Sequence, residues 1–201
     1  HRADAKTRAH RCPDQQVRDL PFLVGGEQSA AEQVPDVAGQ GDDRALVAVE
    51  RDRRCLPALA ELEARHPGKL RIIDADALTI DEPTEAGEGA HVISNLPYNV
   101  GTALLLRWLS GPWPPWWRSL TLMFQKEVAE RICAKPGDMS LLALSVQVYG
   151  APRIAARIPA EAFFPAPKVD SAVLVVDIYP TPLIQKELLD SFFKLVKAGF
   201  S

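Results

Sequence analysis

The chain has 201 residues, 47% of them hydrophobic and 24% charged, with a formal net charge of −3. That is the profile of a soluble globular protein with room for one ordinary core. No apolar run reaches the roughly 18 residues a membrane-spanning helix needs, and the charged opening HRADAKTRAHR lacks the apolar core of a secretory signal.

The three cysteines, Cys12, Cys55 and Cys133, are far apart and odd in number. They argue against a disulfide framework and for a reducing, cytoplasmic setting. The four histidines are scattered, so no metal site is spelled out. Charge is uneven: residues 1–90 carry a net −6 and residues 91–201 a net +3. Either the second part faces phosphates or this is chance variation on a solvated surface. The chain starts without Met and stops at KAGFS without a capping signal, which leads to the expectation of a fragment at both ends.

Residues 1–44 are set apart as an atypical segment, disordered or non-native. They are rich in Arg, Asp, Gln, Ala and Gly, and PFLVGG is their only apolar cluster, so no structure is assigned to them. From residue 45 the pattern is regular. ALVAVE (45–50) reads as a buried strand ending in an acid. RRCLPALAELEARH (53–66) reads as a helix with Leu56, Leu59 and Leu62 in step and Pro57 in its first turn. LRIID (70–74) is a strand, DEPTEAGEGA (81–90) a polar loop, HVISN (91–95) a strand and GTALLLRWLS (101–110) a helix.

GPWPPWW (111–117) must be a loop, because its prolines forbid a helix interior. SLTLMFQ (119–125) is a strand and KEVAERICA (126–134) a helix. MSLLALSVQVYG (139–150) is ambiguous by period, and its length favours a helix. PRIAARIP (152–159) and SAVLVVDIY (171–179) alternate as strands. LIQKELLDSFFKLVKAGF (183–200) is an amphipathic helix with Leu188, Leu189, Phe192, Phe193 and Val196 on one side. The alternation predicts an α/β sheet, mostly parallel with an antiparallel edge, over residues 45–180; residues 181–201 begin a truncated helical domain. Ligands of such sheets sit at the carboxyl ends of the strands, where Glu50, Asp74, Asp76 and Asn95 fall.

The stretch Asn95-Leu96-Pro97-Tyr98 has a specific chemical use. An adenine amine is a poor nucleophile because its lone pair is delocalised into the ring. The Asn95 side-chain oxygen and the Leu96 carbonyl could accept its two hydrogens and aim that lone pair at an electrophile. Pro97 stiffens the carbonyl, and Tyr98 offers a face for a flipped-out base. The alternative is an ordinary strand-to-helix turn, in which Asn and Pro are common.

Together with TLMFQKEVAERI and AFFPAPKVDSAV, SNLPYN resembles the ribosomal RNA adenine N6-dimethyltransferase family. The likeness is nearest to its bacterial kasugamycin-resistance branch, which modifies two adjacent adenines near the end of 16S rRNA. It spans residues 46–201. It implies a Rossmann-like sheet, S-adenosylmethionine as methyl donor, and 16S rRNA of the immature small subunit as partner. A monomer in the cytoplasm, with no membrane and no metal, is also expected. By the same resemblance Asn95, Leu96, Pro97 and Tyr98 hold the target amine, and Phe163 sandwiches the adenine against Tyr98. Glu50 takes the cofactor's ribose hydroxyls and Asp76 its adenine amine, with Asn95 beside the cofactor too. A lone strand-end acid is otherwise more often a cap or a solvated turn.

Three further features carry two readings each. Phe164 is expected to pack its loop onto the core. Lys168 either touches a phosphate or is plain surface. The tryptophans Trp108, Trp113, Trp116 and Trp117 are expected to pin a long loop to the body rather than to form an RNA platform. DNA adenine methylation and 23S rRNA methylation share the amine motif; Leu96 and the FxPxPKV segment fit the RNA branch.

The chain departs from the family pattern before residue 45. The family has a glycine-rich turn after its first strand, where the backbone approaches the cofactor closely. Here EQVPDVAGQGDDRALVAVE holds only Gly39 and Gly41, too close to Glu50 for a strand, turn and helix to fit between. The upstream GQNFL segment is missing as well. The first strand is therefore expected to be absent or corrupted. That leaves a second expectation, a catalytically defective fragment or a non-catalytic RNA-binding protein of the same fold.

Overall fold

A computed structural model describes residues 22–25, 45–95, 98–164 and 166–200. Its centre is a seven-stranded sheet in the order β3-β2-β1-β4-β5-β7-β6. The strands are β1 (Phe22–Gly25), β2 (Leu46–Glu50), β3 (Leu70–Asp74), β4 (Ala90–Ser94), β5 (Trp117–Gln125), β6 (Gly150–Ile158) and β7 (Ser171–Ile178). β2 pairs parallel with β3 and β4 with β5, while β7 runs antiparallel between β5 and β6. The expected α/β sheet with an antiparallel edge is therefore present, and β1 adds two antiparallel pairings among the parallel strands.

The helices are α1 (Leu56–Arg65), α2 (Glu82–Ala86), α3 (Tyr98–Leu109), α4 (Lys126–Ile132), α5 (Leu141–Gln147) and α6 (Leu189–Gly199). Strict alternation in β5 sends Leu120, Leu122 and Phe124 to one face, in register with Val176, Leu174 and Ala172 of β7. All six are buried. On α3, Leu104, Leu105, Trp108 and Leu109 recur at helical spacing and close over the same core. The ambiguous 139–150 stretch is a helix at its centre, opened by Ser140, whose hydroxyl accepts from the backbone N–H of Ala143.

The tryptophans act as anchors. Trp108, Trp116 and Trp117 are buried. Trp117 Nε1 donates to the Trp108 carbonyl at 3.1 Å, and Trp108 meets Trp116 edge-on with ring centroids 6.5 Å apart. Trp113 packs on Tyr149 at 5.9 Å. The loop before β5 is thus fixed to the body.

Four expectations are corrected. The polar loop 81–90 contains the helix α2, because Pro83 sits in its first turn, where a missing N–H costs nothing. The segment 1–44 contributes a strand, β1, at the centre of the sheet. Residues 183–200 are a 3₁₀ turn at Lys186–Leu188 followed by α6, and Leu188 is exposed while Leu189, Phe192 and Phe193 pack on the core. Phe164 does not pack inward at all: it is 88% exposed.

β1 is the unusual element. It runs antiparallel to both neighbours, with Phe22 opposite Val49, and Leu23 opposite Ala48 and Ile93. Gly25 lies beside Leu46 and His91, at the amino ends of β2 and β4.

Candidate functional site

The carboxyl edge of the parallel strands gathers the acids and the amide. Glu50 closes β2 directly opposite Asp74 of β3. The Glu50 side chain is buried, and its Oε1 accepts from the backbone N–H of Asp52 at 2.6 Å. The Ala75 N–H donates to the Glu50 carbonyl at 3.2 Å, so the turns leaving β2 and β3 are tied together.

Asp76 stands in the turn after β3. Its Oδ1 accepts from the Leu78 N–H at 2.9 Å and its Oδ2 from Arg51 Nη1 at 2.9 Å. The Leu78 hydrogen bond, then the Arg51 contact, hold this carboxyl below the usual carboxylate range, with a smaller contribution from Arg107. It is ready to accept, and one of its two oxygens is engaged by an exposed arginine.

The turn carrying Asp76 rests on a cluster that the sequence reading did not single out. Arg107 of α3 donates to the carbonyls of Leu78 at 2.6 Å and Ala77 at 2.8 Å. It also pairs with Glu82 Oε1, which accepts from Trp108 Nε1 at 2.8 Å. Glu82 is buried, and partial burial lowers the Arg107 pKa. One available signal was Asp81-Glu82-Pro83, an N-cap followed by a first-turn proline; the other was a helix presenting Arg107 and Trp108 together.

Asn95 follows β4 directly and is half-buried, above the buried Ser94. Tyr98 opens α3. Leu96, Pro97 and the Tyr98 side chain lie outside the described residues, so the expected slot between Tyr98 and Phe163 does too. Phe163 is half-buried at the end of a 3₁₀ turn, Ala160–Ala162. Its loop is tied down by Asp170, which accepts from Ala160 N–H at 3.2 Å through Oδ1 and from Lys126 N–H at 2.9 Å through its carbonyl. Ser171, the next residue, is in register with Gln125, the last residue of β5. This loop therefore lies on the same edge as Asn95. Lys168 is exposed on it.

The edge fits the nucleoside part of a cofactor. A buried strand-end carboxylate and a second acceptor one strand away suit a ribose diol and an adenine amine. The part of a cofactor that needs close backbone approach fits less well. β1 runs opposite to β2 and β4, so Gly25 lies at the edge away from the acids. Among the described residues no group of His, Cys, Asp and Glu could hold a metal ion, and no helix is long and apolar enough to cross a membrane.

The family model for ribosomal RNA adenine dimethylase matches residues 26–201. The match begins upstream of residue 46, so part of the segment set apart at 1–44 lies inside it. Relatives include the ribosomal RNA small subunit methyltransferase A of Dinoroseobacter shibae, 53% identical over 134 residues that make up 65% of this chain and 48% of that protein. The protein of the same name from Zymomonas mobilis is 52% identical over 161 residues, 78% of this chain and 56% of its own length. The chain spans about half the length of these curated relatives.

Among solved structures, the 23S rRNA methyltransferase ErmE superposes with a TM-score of 0.66 at 25% identity, over 77% of this chain and 60% of that one. A dimethyladenosine transferase from Plasmodium falciparum gives 0.64 at 22% identity over 75% and 53%, a likeness of fold alone.

Proposed function

The chain belongs to the ribosomal RNA adenine dimethylase family, and from that premise we propose that it dimethylates the N6 amine of adenines in small-subunit rRNA, using S-adenosylmethionine. The observation that carries this reading is the shared edge: Asn95 directly after β4, Glu50 ending β2 and Asp76 after β3. The relatives' small-subunit target supports 16S rRNA over 23S rRNA as the substrate.

Each residue has a part in the reaction. Glu50 would accept from both ribose hydroxyls and Asp76 from the cofactor's adenine amine, with Asn95 bordering the same ligand. The bound S-adenosylmethionine supplies a methyl group on a positively charged sulfur. The Asn95 amide oxygen and the Leu96 carbonyl accept the hydrogens of the target amine, and Pro97 holds that carbonyl in place. This turns the nitrogen lone pair toward the methyl and stabilises the positive charge that develops on nitrogen, an effect worth several kcal/mol at most. Tyr98 and Phe163 clamp the flipped base. The cofactor would give up its methyl to the amine and leave as a neutral thioether, and the alkylated amine would be acidic enough to lose its proton to water. The protein would act as a cytoplasmic monomer on the immature small subunit.

The deciding experiment is transfer of labelled methyl groups to immature small subunits, by the chain and by its Asn95→Ala variant. Transfer that Asn95→Ala leaves untouched rejects the site.

One observation favours a second reading, a non-catalytic RNA-binding protein of the same fold: the direction of β1, which takes its glycine away from the acids. Calorimetry separates the two. RNA binding without any heat from S-adenosylmethionine at millimolar concentration selects the second.

A further inference from the structure

Phe164 is the most exposed large apolar side chain among the described residues, at 88%. Its neighbour Phe163 is half-buried and has extended backbone, with φ −108° and ψ 152°. Side chains of consecutive extended residues leave on opposite sides. One ring therefore turns toward the body and the next turns out to solvent, at the edge where Asn95 stands. The loop that holds them is anchored at its base by Asp170, through Ala160 and Lys126. A phenylalanine held outward on an anchored loop forfeits the burial energy of a whole ring.

The surroundings select the partner. A protein-docking patch is a contiguous apolar area of several hundred Å². The exposed residues near Phe164 in the chain are instead mostly small or charged, Glu161, Ala166 and Lys168, with Val169 the one larger apolar residue among them. The nearby cations are largely matched by acids: Lys126 lies 3.9 Å from Asp170 and Arg157 3.5 Å from Glu130. Phosphate attraction is thus weak here, and the distinctive group is the ring. A solvated ring with an exposed lysine four positions on suits stacking against an unpaired base.

We propose that Phe164 stacks on an unpaired base next to the target adenine, with Lys168 on the adjoining phosphate. This rests on the rRNA reading above and extends it to a nucleotide that is not modified.

The test is fluorescence anisotropy with a single-stranded 16S rRNA oligonucleotide containing two adjacent adenines, using the whole chain. Phe164→Ala should bind about five- to a hundredfold more weakly, Phe164→Trp should restore affinity, and the thermal midpoint should not move. An abasic nucleotide beside the adenines should cost the wild type a similar factor and cost Phe164→Ala nothing more. Lys168→Ala should lower the salt dependence by about one phosphate contact. If the wild type binds this RNA and Phe164→Ala binds it equally well, the stacking role is wrong while the rRNA reading survives. If Phe164→Ala loses as much again on the abasic RNA, the ring acts through something other than that base, and the proposal falls. Unchanged RNA binding with loss of self-association or of ribosomal-protein binding assigns the ring to a protein partner. A wild type that binds no rRNA at all overturns the rRNA reading, and this proposal with it.

Discussion

Arg107 and Glu82, 25 positions apart in sequence, pair beneath the turn that carries Asp76. Through this pair, α3, which begins beside the proposed target-amine motif, is braced against the proposed cofactor-binding turn. Glu82 also accepts from Trp108, so one buried carboxylate serves two donors.

Glu82→Ala should destabilise the fold strongly, because it removes the acceptor of Trp108 Nε1 and the ion-pair partner of Arg107. Breaking a buried pair costs about 3–5 kcal/mol. The Arg107 side chain remains 34% exposed, so the lower end, about 3 kcal/mol, is expected. Urea denaturation measures it. Glu82→Gln keeps an acceptor oxygen and should lose clearly less.

Asp76 gives the stability a pH dependence of known sign. Its carboxyl is held below its ordinary value in the folded chain by Leu78 and Arg51. The stabilisation is therefore present above the ordinary carboxylate pKa and is lost as pH falls through the lowered folded value. Asp76→Asn should flatten that acid limb. Denaturation midpoints taken between neutral pH and about pH 3, below the ordinary Asp value, test this; an unchanged acid limb contradicts it.

Glu50→Gln should weaken S-adenosylmethionine binding by about ten- to a hundredfold, the worth of hydrogen bonds to a charged acceptor. Arg51→Ala should strengthen it modestly, since Arg51 engages one oxygen of Asp76. Titration calorimetry reads both, and equal affinities across the three proteins would remove these residues from the cofactor site.

Asn95→Ala should leave S-adenosylmethionine binding within a few-fold and cut the turnover rate by about a hundred- to a thousandfold, as for other lost oriented polar groups. Single-turnover methyl transfer separates the two effects.

Gly150→Ala tests the antiparallel edge. A Cβ there would run into the Asp177 carbonyl on β7, and it would also press on Val176. Overpacking against backbone costs about 1–3 kcal/mol, read as a lowered thermal midpoint.

Most of the sheet was legible because burial imposes a period on sequence. β3 fell where LRIID predicts, and β5 alternates buried and half-buried from Leu120 to Gln125. The strand-end positions of Glu50, Asp76 and Asn95 followed from the same pattern. What sequence could not carry was set by distant partners. Pro83 and two glycines look like a loop until Arg107 and Trp108 supply donors that bury Glu82. Phe163 and Phe164 are chemically identical, and only the course of the anchored loop decides which ring faces out. PFLVGG was visible as an apolar cluster, but its direction is fixed by Ala48 and Ile93, far along the chain.

The direction of β1 has a topological consequence. A link between parallel strands must climb back across the sheet, and its hand then obliges a layer to form on one side. Gly25 ends beside Leu46, where β2 starts, and an antiparallel pair of that kind owes the sheet no such layer. Ile93, in the middle of the sheet and yet 37% exposed, lies on a surface that connectivity does not require to be roofed.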